Sequence, residues 1–452
     1  NRDFPPLPRR AKGAALGSGE RMSTTTNQDG AAPGGIATMI RHRRVLIASL
    51  VGTSVEFYDF YIYATAAAIV FPDLFFPASE PWIRQLASYA SFSVAFFARP
   101  LGGLVFGHFG DRMGRKSTLV ASLMLMGIST VLIGFLPGYA MLGWMAPLLL
   151  CLLRFGQGLG LGGEWGGASL LAVENAPPGW ANRYGSFPPM GAPVGFIFAN
   201  GFFLILGAVM DDAQFREWGW RLPFLASAVL VFLGLWVRLK ITETPEFVAA
   251  TEKEAPPAVP IGELFRTSAL ATFAGTVGTV ACFALFYIST VFIIGHGTKT
   301  LGYDRETFLA VELLAILFMA AGIVTAGISA DKRTANAVLM FGCIFTIPVG
   351  MAMALLVVPG SLASVAAWLA FALFVMGFVY GPLGGWLPSL FPARVRYTGV
   401  SVTFNLGGIL GGGLTPLIAE TLVKQGGLTW VGYYLAGAGL LSLIGLILVR
   451  DK

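Results

Sequence analysis

Four ionisable residues stand inside long apolar stretches of this chain: Glu56, Asp59, Arg99 and Arg154. In a membrane each would cost about 2.5–3.5 kcal/mol on insertion scales unless it met a partner or a wet cavity. Counting 1.5 Å per helical residue, Glu56 lies roughly 18 Å from Arg44, and Arg99 roughly 18 Å from Asp111. Arg154 lies as far from the opposite end of its own stretch, near Leu142, and Asp59 stands three residues beyond Glu56 on the same helix face. Two acids and two arginines from different segments thus reach similar depth. Arginine keeps its proton, so Arg154 and Arg99 suit a fixed site for an anion. A partly desolvated carboxyl can carry a proton, with Asp59 the first choice and Glu56 and Arg154 beside it in the coupling set. The competing reading is that the four neutralise one another as structural pairs, which add little to stability.

Weaker candidates surround them. Gln157, one turn from Arg154, can hydrogen-bond a substrate or simply its own helix. Tyr58, Tyr287, Tyr380, Trp386 and Asn405 are candidates for the cavity wall, with aromatic packing as the alternative. Glu164 suits a gate pair with an arginine of a polar turn. Glu312 and Glu420 fall close to one membrane face, where a snorkelling carboxylate is expected.

The elements that must position these groups are membrane helices. The chain has 452 residues, 55% hydrophobic and 12% charged. Soluble domains carry roughly 25% charged residues. Twelve apolar segments are long enough to span a bilayer at about 20 residues each. They fall at about 45–71, 84–108, 117–137, 142–174, 185–210 and 220–240, then 268–295, 308–330, 335–357, 362–390, 397–423 and 428–450. The second and third are joined by a very short turn bearing Asp111, Arg112, Arg115 and Lys116, which makes a helical hairpin with a charged tip. A weaker echo, GISADKRT at 327–334, keeps the Gly-to-Asp spacing and places Asp331 220 residues after Asp111. The reading is an all-α, duplicated membrane protein. It has a leader (1–40), a six-helix bundle (41–240), a polar linker (241–267) and a second six-helix bundle (268–452).

Of 30 Lys and Arg, 22 fall on the face holding the hairpin tip and both chain ends, 6 near the opposite face and 2 within spans. The positive-inside rule makes the hairpin face cytoplasmic, and it explains the net charge of +6 without nucleic acid. The leader has no signal-peptide core, and Met22 is a candidate initiator. Cys151, Cys282 and Cys343 lie in apolar runs without metal-ligand spacing, so no metal or other cofactor is expected. Glycines at 103 and 107, at 158, 162 and 166, and at 407 and 411 repeat every four residues, which lets helices approach closely. GLGLGG at Gly158 lacks the preceding strand of a dinucleotide site. No HExxH or paired His stands in the spans, and no enzyme is expected.

With those residues in view, the chain resembles the major facilitator superfamily. GHFGDRMGRK (107–116) is similar to its helix 2–3 loop signature and RFGQG (154–158) to its helix 4 signature. EFYDFYIYATAA (56–67), RFGQGLGLGGEWGGASLLAVENAP (154–177) and FPARVRYTG (391–399) resemble the metabolite:proton symporter branch, which carries α-ketoglutarate, citrate, shikimate, proline or betaine. The resemblance implies twelve helices in two pseudo-symmetric bundles and alternating access in a bacterial inner membrane. It further implies symport of a proton with a small metabolite, with a monomer sufficing. It also implies a cytoplasmic latch formed by Gly107, Asp111, Arg112, Gly114 and Arg115, with Asp331 as its second-half counterpart. Phe57 departs from the Trp of many members, and DKRT lacks the Gly-Arg-Lys end of the first loop. Efflux by proton antiport and facilitated diffusion remain open on the same fold.

Overall fold

The computed structural model describes residues 39–40, 42–77, 80–113, 115–162, 164–240 and 260–449. The leader to residue 38, Gly114 and linker residues 241–259 lie outside them. The described residues are helical and contain no strand. Eight stretches are long and apolar enough to cross a membrane. One of these, Arg396–Leu448, holds two helices, because Gly426 and Gly427 leave helical geometry and Gly427 takes φ +70°, which suits a residue without Cβ. Three further helices, Arg43–Ile69, Arg115–Phe135 and Leu222–Lys240, complete twelve.

In chain order these are α1 (Arg43–Ile69), α2 (Pro81–Met113), α3 (Arg115–Phe135), α4 (Met145–Glu174), α5 (Ala181–Val209) and α6 (Leu222–Lys240). The second half holds α7 (Gly262–Lys299), α8 (Arg305–Lys332), α9 (Ala335–Leu356), α10 (Leu362–Ser389), α11 (396–425) and α12 (428–448). The helix leading into α7 starts at Pro260, inside the expected linker, and bends at Ser268, where the apolar run begins.

Packing repeats between the halves. α1 lies on α5, α2 on α4 and α3 on α6; six helices later α7 lies on α11, α8 on α10 and α9 on α12. The halves meet mainly along α2–α11 and α5–α8. The most apolar window of α7 is wholly buried, whereas other spans bury about half and turn Leu314, Leu355 or Ile444 outward. An exposed apolar face is what lipid requires. Glycine decides the closest crossings. A Cβ on Gly158 would stand 2.3 Å from the Ala95 carbonyl, and one on Gly162 2.1 Å from that of Arg99. The every-fourth glycines of α4 therefore press it onto α2, and fix Arg99 and Arg154 on adjoining backbones.

Candidate transport site

A small cavity, with room of about 50 Å³, lies between the halves. The first half contributes Glu56, Phe57, Phe60 and Tyr61 of α1, Arg99 of α2 and Trp165 of α4; the second contributes Tyr287, Tyr380 and the α11 residues Ser401, Phe404 and Asn405. Five expected residues, Glu56, Arg99, Tyr287, Tyr380 and Asn405, thus share one cavity. The rest of the wall is mostly aromatic and aliphatic, so a cation and an anion stand in a largely apolar chamber.

The halves touch on both sides of it. Towards the hairpin face, Trp165 stacks flat on Phe404 with centroids 3.7 Å apart and donates to the Tyr380 hydroxyl at 3.2 Å. Asn405 Nδ2 donates to the Gly162 carbonyl at 2.8 Å. Towards the far face, Tyr89 donates to the Val291 carbonyl at 3.2 Å, and Ser93 to that of Gly413.

Asp59 and Arg154 do not line this cavity. Three residues of helix turn the chain about 60° short of a full circle, enough to place Asp59 behind Phe60 and inside the first bundle. There Asp59 is 1% exposed and accepts from the Ser227 hydroxyl of α6 at 2.5 Å and the Thr130 hydroxyl of α3 at 3.3 Å. Gln157 Nε2 donates to Thr130 at 2.8 Å, and Arg154 Nη1 donates to Gln157 Oε1 at 3.0 Å. One buried polar chain therefore runs from Ser227 through Asp59, Thr130 and Gln157 to Arg154. No carboxylate among the described residues is within ion-pairing distance of Arg154. Its guanidinium lies over the rings of Tyr63 (4.0 Å), Phe60 (4.3 Å) and Phe92 (5.0 Å) instead.

Other expectations need correction. Gln157 is committed to Arg154 and Thr130, away from the cavity. Tyr58 points to α6, where its hydroxyl donates to the Pro223 carbonyl at 2.9 Å. Trp386 packs on Gly278 of α7 instead of the cavity. Glu312 does not snorkel: it is 1% exposed, and its oxygens meet no donor among the described residues.

Of the gate candidates, Gly107, Asp111, Arg112 and Arg115 lie at the adjoining ends of α2 and α3, with side chains outside the described structure, as is Gly114. Glu164 is buried in α4. Asp331 bridges the halves: it accepts from the backbone N–H of Asn182 (2.8 Å) and Arg183 (3.2 Å) at the start of α5, with Arg183 Nε 3.3 Å away. Thr130, Ser227 and Ser401 carry no sequence pattern of their own, whereas Phe60 falls within EFYDFYIYATAA (56–67). Trp165 sits inside a motif and was within reach.

The relatives agree with this architecture. The inner membrane metabolite transport protein YhjE of Escherichia coli (strain K12) is 49% identical over 414 residues, 90% of this chain and 94% of that protein. The chain belongs to the major facilitator superfamily. The family model for sugar (and other) transporters matches residues 44–259. The shikimate transporter of E. coli is 36% identical, over 92% of this chain and 97% of its own. The proline/betaine transporter of Salmonella typhimurium is 29% identical, over 90% and 82%. The proton:xylose symporter XylE superposes with a TM-score of 0.69 at 17% identity, covering 92% of this chain and 96% of that one. This is a family of transporters rather than enzymes, and its twelve-helix, two-bundle fold is the one built here.

Proposed function

We propose that this transporter takes up a small organic carboxylate or zwitterion together with a proton, by alternating access, in a bacterial inner membrane with both chain ends cytoplasmic. The moving units are the bundles 41–240 and 268–452, joined by the linker 241–267 and preceded by the leader 1–40. The observation that carries this reading is a carboxyl within a buried polar chain, beside a cavity lined by Arg99 and Glu56. Relatives named for shikimate, which is a carboxylate, and for proline and betaine, which are zwitterions, support the substrate class.

The chain supplies the coupling. Thr130 Oγ1 has one hydrogen and two acceptors in reach, Asp59 Oδ2 at 3.3 Å and the Met126 carbonyl at 2.9 Å. Ionised Asp59 draws that hydrogen; protonated Asp59 releases it to Met126 and can itself donate. Either rearrangement reaches Gln157, which accepts from Arg154. Arg99 and Glu56 offer opposite charges to a substrate carrying one or both, and Ser401, Asn405 and the tyrosines offer neutral hydrogen bonds. Asp331 and the hairpin residues form the cytoplasmic gate.

Right-side-out vesicles supplied with labelled shikimate, proline and glycine betaine, with xylose as a sugar control, test this. At least one acid or zwitterion should accumulate only under an inward proton gradient, and Asp59→Asn should abolish accumulation. Normal accumulation by that variant would remove Asp59 from the coupling.

A further inference from the structure

One aromatic ring stands between the chamber and the polar chain. Phe60 lines the cavity and is 1% exposed. The Arg99 guanidinium lies 4.5 Å from its centroid and that of Arg154 4.3 Å. Phe92 (5.2 Å), Phe96 (5.3 Å) and Tyr287 (6.1 Å) meet it edge-on. Arg99 belongs to the chamber, whereas Arg154 belongs to the chain that holds Asp59. The two cations converge on a single ring, and neither Arg99 Nε nor Arg154 Nη2 has a hydrogen-bond partner among the described residues. A desolvated cation is held well by an aromatic face, and two that share a ring hold it in turn.

We propose that Phe60 is the positioning residue that partitions the substrate chamber from the proton-carrying chain, and that coupling depends on its ring staying between the two guanidinium groups. With the ring in place, the unpartnered nitrogen of Arg154 is shielded from the chamber, and water there has no path to Asp59. Substrate bound against Arg99 competes for that cation and loosens the ring. The chamber and the chain then communicate only when substrate is present. This rests on Asp59 as the proton site.

The test needs no substrate. Full-length protein in proteoliposomes containing a pH-sensitive dye is given an inward proton gradient, and proton entry is followed. The parent should admit protons slowly. Phe60→Leu keeps apolar bulk but loses the π face, and should raise substrate-independent entry by about tenfold, the factor corresponding to 1.4 kcal/mol. Phe60→Ala should raise it further. Phe60→Tyr, which keeps the ring, should stay near the parent, a rescue that a purely space-filling role does not require. Adding Asp59→Asn to Phe60→Leu should return entry to the parent level. A Leu variant that melts like the parent and admits no more protons overturns the partition. A leak that survives Asp59→Asn overturns the route through Asp59. The reading of Asp59 itself is judged separately, by accumulation in the single Asp59→Asn variant.

Discussion

The seam between the halves is closed differently at its two ends. At the hairpin face a buried carboxylate, Asp331, caps the start of α5, and glycine backbones touch: a Cβ on Gly384 would lie 2.1 Å from the Gly185 carbonyl. At the far face the buried cross-seam bonds are neutral hydroxyl to carbonyl, from Tyr89 and Ser93 of α2 to Val291 of α7 and Gly413 of α11. Both acceptors stand in single π-turns, Ile288–Phe292 and Ile409–Gly413, where the ordinary helical ladder is broken. Two ionic or polar contacts flank them, Lys299 Nζ to Gln85 Oε1 at 2.7 Å and Arg305 to Asp212 at 3.2 Å, the latter with Asp212 largely exposed. Hydrogen bonds to a charged group contribute about 1.5–3 kcal/mol and neutral ones about 0.5–1.5. Lys299 and Asp212 are exposed, so water screens these two charged contacts, and the hairpin end is the firmer closure and the far end the looser one.

The comparison can be broken from its firm side first. Gly384→Val should be the most damaging change, because the added side chain meets backbone that cannot yield. It should abolish uptake and leave the hairpin end open. Cys282 reports this, since it lines the chamber. With Cys151 and Cys343 replaced by alanine, its labelling by an impermeant maleimide from the hairpin face should become fast. Unchanged labelling in a folded protein would mean that the glycine contact does not hold the seam. Asp331→Asn comes next. It keeps the shape and one acceptor but loses the charge behind two N–H bonds, so the hairpin-open population should rise about 10- to 150-fold, in line with 1.5–3 kcal/mol.

How much of this was legible depended on how local each signal is. Span length and apolar runs are local, and all twelve helices follow from them within a few residues; even the break between α11 and α12 is marked by Gly426 and Gly427. The Gly-to-Asp spacing around 331 singled out Asp331, which stands against the start of α5. What failed was rotation. Depth along an axis placed Glu56, Asp59, Arg99 and Arg154 at one level, but only Glu56 and Arg99 face the chamber. A 60° offset decides whether a side chain enters a cavity or a bundle interior. Thr130 and Ser227 stand 71 and 168 residues from Asp59 in sequence, as lone hydroxyls in apolar helices. Their role exists only once α1, α3 and α6 have packed. The π-turns are equally silent, and the hydroxyls that bond their carbonyls come from another helix.

The smallest expected effects fall at the loose end, and they sharpen the comparison most. Tyr89→Phe and Ser93→Ala each remove one neutral cross-seam bond without adding bulk. Each should favour far-side opening by about two- to tenfold, as 0.5–1.5 kcal/mol allows. The sign is the opposite of that for Asp331→Asn: Cys282 should label faster from the far face and no faster from the hairpin face. Removing both hydroxyls should give roughly the product of the single effects only if the two π-turns move independently. Residues this close, one turn apart on α2, commonly couple. A double variant that exceeds the product would mean that α7 and α11 release α2 together, so that the far end opens as one unit while the hairpin end stays held by its buried carboxylate.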